Sequence, residues 1–142
     1  MKKLLVLLLL ICPVVAHAQD DLDHYVKSVQ AYNADKTPFL NKIAITDFGW
    51  TRYSGIYRAS FAVTNKNDVG IKAFVVVASI FGPNGAKIGE KTLTVYQKIA
   101  PGERKIIKDL DFGVVTNKTV RSGIAITELS FYHEEPKQDK AE

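Results

Sequence analysis

From Ile43 to Tyr132 the chain is a succession of short apolar stretches with period two, each closed by glycine, proline or asparagine. That alternation is the strongest constraint on the fold. Period two puts successive side chains on opposite faces of an extended strand, and closely spaced turns leave no room for the helical crossovers that parallel strands require. Tyr57, Ala59, Phe61 and Val63 alternate with Arg58, Ser60, Ala62 and Thr64 as a half-buried strand, which ends at the polar turn Asn65-Lys66-Asn67-Asp68. Ile71 to Phe81 is almost continuously apolar and rich in Val and Ile, which predicts a strand in mid-sheet with both faces covered. Gly82-Pro83-Asn84-Gly85 is the next turn, since glycine accepts positive φ and proline presets the corner.

Glu90 to Ile99 alternates again, with Leu93, Val95 and Ile99 on one side and Thr92, Thr94 and Tyr96 on the other. Ala100-Pro101-Gly102-Glu103 turns into Arg104 to Phe112, where Ile106, Leu110 and Phe112 are expected on one face. A loop through Asn117 and Lys118 leads to the last strand, Gly123 to Tyr132. Strands punctuated by turns predict a mainly β domain, an antiparallel sandwich of about 7 strands. Ile43 to Trp50 (IAITDFGW) is echoed by Ile124 to Phe131 (IAITELSF). Shared strand burial explains such an echo, and first and last strands of a sandwich commonly lie side by side, which would bring Ile45 near Ile126.

The amino terminus reads differently. Lys2 and Lys3 precede the apolar run Leu4 to Ile11, extended by Val14 and Val15, and Ala16-His17-Ala18 offers small residues at −3 and −1. These are the parts of a secretory signal peptide with cleavage after Ala18. The run is shorter than the about 20 residues a membrane-spanning helix needs, so no transmembrane helix is expected after cleavage. Acylation at Cys12 is disfavoured, because Ile11 stands where lipoprotein processing wants a small residue. The expected location is periplasmic or secreted. The expected divisions are residues 1–18 as signal peptide, 19–38 as short helix and linker, 39–133 as sandwich and 134–142 as a disordered charged tail. Within the second, Leu22, Tyr25, Val26 and Val29 form an apolar stripe on a helix from Asp20 to Asn33, with Asp20, Asp21 and Asp23 near its positive end. Such a helix packs on the domain or serves as a docking arm.

Removing the leader subtracts chemistry. The formal charge is 19 − 15 = +4 for the whole chain, and losing Lys2 and Lys3 leaves 17 − 15 = +2 without a basic cluster. Nucleic acid is therefore not an expected partner. The single cysteine goes with the leader, and with it any disulfide, thiol nucleophile or cysteine metal ligand. His24 and His133 are expected as separate, solvated residues at opposite edges of the chain, and Asp109 and Asp111 as an outward-facing pair on a strand. No HExxH, CxxC or GxSxG occurs. No catalytic residue, metal or cofactor is expected, and the chain reads as non-enzymatic.

An aromatic cluster is the best candidate for binding. Phe48, Trp50, Tyr53 and Tyr57 interleave with Arg52 and Arg58, and Trp, Tyr and Arg are enriched at interface hot spots. Trp50, Arg52, Tyr53, Tyr57 and Arg58 are the candidate binding residues. The competing and favoured reading makes Trp50 and Tyr57 core residues of adjacent strands, with Arg52 and Tyr53 the exposed members.

The middle of the chain resembles a known family. Val63-Thr64-Asn65-Lys66-Asn67, Phe74 to Phe81, Gly82-Pro83-Asn84-Gly85 and Ile99-Ala100-Pro101-Gly102-Glu103 are similar to the FxLYD-type domains, small immunoglobulin-like β-sandwiches on bacterial and archaeal extracytoplasmic proteins. The similarity runs from about Phe61 to Phe112, with Gly82 where the family more often has Asp. It implies an immunoglobulin-like fold, an extracytoplasmic location and a role in interaction or scaffolding, and no catalytic residues. The expectation is an exported module of the bacterial cell envelope that binds a protein partner through a strand edge or its aromatic loop. The alternative is a small-ligand or glycan-binding periplasmic protein that stacks its ligand on Trp50 and the tyrosines.

Overall fold

The computed structural model describes residues 4–54, 56–114 and 121–134, without the side chains of residues 4–16, 52, 53 and 114. Helices α1 (Leu4–Ala34) and α2 (Thr37–Leu40) precede the strands β1 (Ile43–Tyr53), β2 (Ile56–Asn65), β3 (Gly70–Phe81), β4 (Lys87–Val95), β5 (Arg104–Val114) and β6 (Arg121–Tyr132). The strands form two three-stranded sheets, ordered β1-β2-β5 and β4-β3-β6, and every pair is antiparallel. The chain is a β-sandwich, as its period-two pattern requires. Six strands stand among the described residues where about seven were expected. Beyond Val95 the chain leaves β3 and returns to it only as an isolated bridge between Ile99 and Ile71. The Asn117–Lys118 loop and the charged tail beyond Glu134 lie outside the described residues. Among the described residues no helix is long and apolar enough to cross a membrane.

The two central strands, β2 and β3, supply the middle of the core. Phe61, Val63, Ile71, Phe74 and Val76 are all at most 1% exposed. The two faces of β3 differ: Phe74, Val76, Ala78 and Ile80 are buried, while Val75, Val77, Ser79 and Phe81 are half-buried. The apolar run suggested cover on both faces, but the outer side of this sheet is only partly shielded.

Several expectations need correction. On β5, Ile106 is 58% exposed and Ile107 is buried, the reverse of simple alternation. Asp109 adopts φ 56°, and the pairing with β2 shifts between Ala59 and Phe61. This extra residue returns Leu110 and Phe112 to the side of Ile107. Asp109 and Asp111 are thus not a simple pair on a regular strand. The Asp109 backbone N–H donates to Ser60 Oγ, and Asp111 Oδ1 accepts the Gly113 N–H.

Helix α1 covers the expected helix from Asp20 to Asn33 and runs unbroken back through Ala18 to Leu4. Its docked stripe is rotated. Leu22 and Val26 are each 41% exposed, whereas Ser28 and Tyr32 are buried and Tyr25 and Val29 pack against the core. Tyr32, Phe39 and Phe131 form an aromatic triad with ring centroids 5.1 to 5.7 Å apart. This triad fixes both helices to β6.

The turn after β2 is polar in composition but not in exposure. Asn65 is fully buried and Asn67 nearly so. Asn65 Nδ2 donates to the carbonyls of Val69 and Ile99, and its Oδ1 accepts the Asn67 N–H. Asn67 Nδ2 donates in turn to the Phe39 carbonyl. Two asparagines therefore tie β2, β3, the Ile99 segment and α2 together. Buried amides persist only where such partners satisfy them.

The sequence echo has a structural meaning. β1 and β6 belong to different sheets and are not paired, so they are not neighbours in one sheet. They meet across the sandwich, where the Trp50 indole N–H donates to Ser122 Oγ. Both strands carry an irregularity at the same place in the repeat, β1 between Thr46 and Gly49 and β6 between Ile126 and Glu128. Core contacts consequently fall at Ile43, Ile45, Phe48 and Trp50 and at Ile124, Ile126, Leu129 and Phe131. IAIT[DE] followed by two spaced apolar residues is the pattern of one bulged edge strand, used twice.

Candidate functional site

Of the aromatic cluster, the described side chains of Phe48, Trp50, Tyr57 and Arg58 are each half-buried. Trp50 stands opposite Ala59 in the β1–β2 register and is half-buried. Its ring meets Phe48 at 5.7 Å and the buried Phe112 at 5.9 Å, both close to edge-on. With its N–H bonded to Ser122, Trp50 seals the margin between the sheets. Tyr57 and Arg58 are half-buried on β2. Arg52 pairs with Tyr57 and Tyr53 with Ile56 in the hairpin, and the side chains of Arg52 and Tyr53 lie outside the described residues.

Four strands have a free edge, and three of those edges are blunted. β1 is bulged and carries Asp47 at φ 55°. β5 shifts register twice. β6 is irregular, and α1 and α2 lie over it. Bulges and cover are the usual means of preventing strands from pairing edge to edge.

β4 has neither device from Gly89 to Val95. From Gly89 opposite Ile80 to Val95 opposite Phe74 its register with β3 is unbroken, and the single shift falls at the end, at Phe81. No described strand pairs with its other side. Two large apolar side chains bracket it, Ile88 at 51% and Tyr96 at 83% exposure. Its charges are Lys87, Glu90 and Lys91. Lys87 pairs with Glu90, and that contact, with help from Ser79, holds the Glu90 carboxyl below its ordinary range. Sequence reasoning placed Tyr96 on the outward side but could not tell which strand would end up uncovered, because that depends on sheet order.

A second feature was barely legible in the sequence. His24 and His133, expected at separate edges, line one cleft of about 230 Å³ between α1, the start of β3, the Ala100–Pro101 turn and the end of β6. His24 Nε2 lies 3.5 Å from Asp68 Oδ2. The rings of Tyr25 and His133 are 5.6 Å apart, and Lys98 Nζ sits 4.9 Å from the Tyr132 ring centre. Asp21, Asp68 and Glu134 give the walls negative charge. Burial, then the charges of Glu134 and Glu103, push the Tyr132 phenol up from its ordinary value of 10.0. The lining has no serine, threonine or cysteine to act as a nucleophile, and among the described residues no group of three or more His, Cys, Asp or Glu is placed to hold a metal. The aromatic residues on α1 and at the end of β6 were the only sequence signal for this junction.

No protein-family model matches the chain, and no curated protein matches it. Among solved structures, a DUF1425 family member from Shewanella sp. pv-4 matches 61% of this chain and 77% of its own, at 13% identity and a TM-score of 0.42. The architecture therefore stands on the strand pairing described above.

Proposed function

We propose that this chain is an exported, non-enzymatic interaction module that receives an extended segment of a protein partner along β4. One observation carries the proposal: from Gly89 to Val95, β4 is the one described strand edge that is regular, uncovered and flanked by exposed apolar residues. An added strand gains main-chain hydrogen bonds from such an edge, and Ile88 and Tyr96 offer apolar contact at its two ends. The leader pattern at Met1 to Ala18 supports export to the periplasm or beyond. The similarity of Phe61 to Phe112 to FxLYD-type, immunoglobulin-like domains supports a module that binds rather than catalyses. Photocrosslinkers placed at Thr92 on β4 and at Thr51 on β1, in cells that export the protein, test the proposal. A protein adduct that forms at Thr92 and not at Thr51, and disappears when β4 carries Ile88→Asp and Tyr96→Asp, is the expected result. Equal adducts at both positions, or none at Thr92, would overturn it.

A small-ligand reading finds its support in the cleft rather than at Trp50. Its volume of about 230 Å³ is below the roughly 300–1,000 Å³ of pockets that enclose drug-sized ligands. The negative lining favours a small cationic group over a glycan. Titration with simple amines, followed through the His24 and His133 ring resonances, tests this reading; unchanged resonances would remove it.

A further inference from the structure

We infer that the open edge of β4 selects its partner by charge: Lys91 requires a carboxylate side chain opposite it on the incoming strand. The inference rests on the β4 reading above and deepens it. In the β3–β4 register Gly89, Lys91, Leu93 and Val95 stand opposite Ile80, Ala78, Val76 and Phe74, and all four of those β3 residues are buried. Lys91 therefore occupies a core-facing position on an edge strand, between Gly89 and Leu93. Its side chain remains exposed. Lys87 is neutralised by Glu90, while Lys91 has no carboxylate within ion-pair distance among the described residues. It is the uncompensated charge of β4.

A strand laid beside β4 places one side chain directly across from Lys91, with Cβ atoms about 4.5–5.5 Å apart. Opposite charges at that separation favour pairing and like charges oppose it. The neighbours on the same face, two residues away in each direction, would sit beside Leu93 and Gly89 and are best apolar. On the other face Ile88, Thr92 and Thr94 favour β-branched partners. The recognised segment is thus an extended apolar strand with one acidic residue on its inward face. An inward-pointing charge on an edge also discourages self-pairing, since a second β4 aligned about Lys91 would bring two ammonium groups together. The occupant is accordingly a segment of another protein rather than a second copy.

Two labelled nonapeptides of alternating valine and threonine test this, one with a central glutamate and one with a central lysine in a valine position. Binding is read by fluorescence anisotropy and by amide chemical shifts of the 15N-labelled protein. The glutamate peptide should bind at least about threefold more tightly than the lysine peptide, with the largest shifts in residues 87–95. Lys91→Glu should reverse the preference, and Lys91→Gln should abolish it. Equal binding of both peptides with shifts on β4 would overturn charge selection and leave the edge reading standing. Binding without shifts on β4, or no binding at all, would overturn both. A dimer of the free protein that protects the β4 amides would also overturn the inference, because a second copy would then fill the edge.

Discussion

The hydroxyl of Tyr32, on α1, accepts the backbone N–H of Leu129, on β6, at 2.7 Å. The two residues are 97 positions apart, and the bond satisfies a donor on the edge of β6 that no strand reaches. It is the polar half of the joint whose apolar half is the Tyr32–Phe39–Phe131 triad. Tyr32→Phe keeps the ring and removes the acceptor, leaving the Leu129 N–H buried and unpaired. The expected cost is about 1–3 kcal/mol, measured by urea denaturation. Hydrogen exchange should quicken at Leu129 before it quickens in β2 or β3. Unchanged exchange at Leu129 would mean that the helix is held by ring packing alone.

The buried side chain of Asn65 bonds several segments of the sandwich at once. Asn65→Ala would strand the carbonyl of Val69 and the N–H of Asn67 inside the protein and take from the Ile99 carbonyl one of its two donors, the other being the Ile71 N–H. A loss of about 3 kcal/mol or more is expected from several unsatisfied buried groups. Asn65→Asp should be worse than its near-identical shape suggests, since it turns an oxygen toward the carbonyl oxygens of Val69 and Ile99. Equilibrium unfolding of both variants checks the order, and an aspartate variant more stable than the alanine one would contradict this account.

What could be read from the chain and what could not divides along physical lines. Strands and turns were legible because alternation and Gly, Pro and Asn chemistry are local: the 82–85 turn and the inward Leu93 and Val95 fall where period two puts them. Bulges were not, because an extra residue on β5 shows only against the register of β2. Their one trace in the sequence is aspartate at Asp47 and Asp109, a residue that tolerates left-handed backbone better than most. The burial of Asn65 and Asn67 was hidden for a similar reason, since a polar turn looks solvated until another segment covers it. For the candidate sites the limit is different: the residue types at Trp50 fit a core ring and a binding surface alike, and its ring lies against Phe112, while the openness of β4 is a property of sheet order that its own nine residues cannot express.

Gly70 marks a close approach rather than a turn. A Cβ there would lie 2.5 to 2.9 Å from the ring and hydroxyl of Tyr132. Gly70→Ala should cost about 1–3 kcal/mol, the usual range for overpacking. Combining it with Tyr132→Leu should recover part of that loss in a double-mutant cycle, because the clash needs both partners. Additive effects would place the origin of the glycine requirement elsewhere.

Acid should weaken the Ala100–Glu103 turn in a way that one substitution can isolate. The Glu103 carboxylate bonds Lys105 and accepts the Ala100 N–H, and these contacts hold its carboxyl below the ordinary value of 4.5. A group whose value is lower in the folded state stabilises that state while it is ionised. Its contribution is present above 4.5 and fades as pH falls through the lower folded value. Glu90 titrates in the same direction through Lys87, so the acid limb of the wild-type curve contains both. The difference between wild type and Glu103→Gln cancels the Glu90 part. That difference should favour wild type at neutral pH and shrink steadily below 4.5. Lys105→Gln removes the leading cause and leaves the Ala100 N–H in place, so its curve should fall between the two. Added salt should narrow the Lys105 contribution, which is an exposed ion pair. Parallel curves for wild type and Glu103→Gln across the acid range would show that this carboxylate does not anchor the turn.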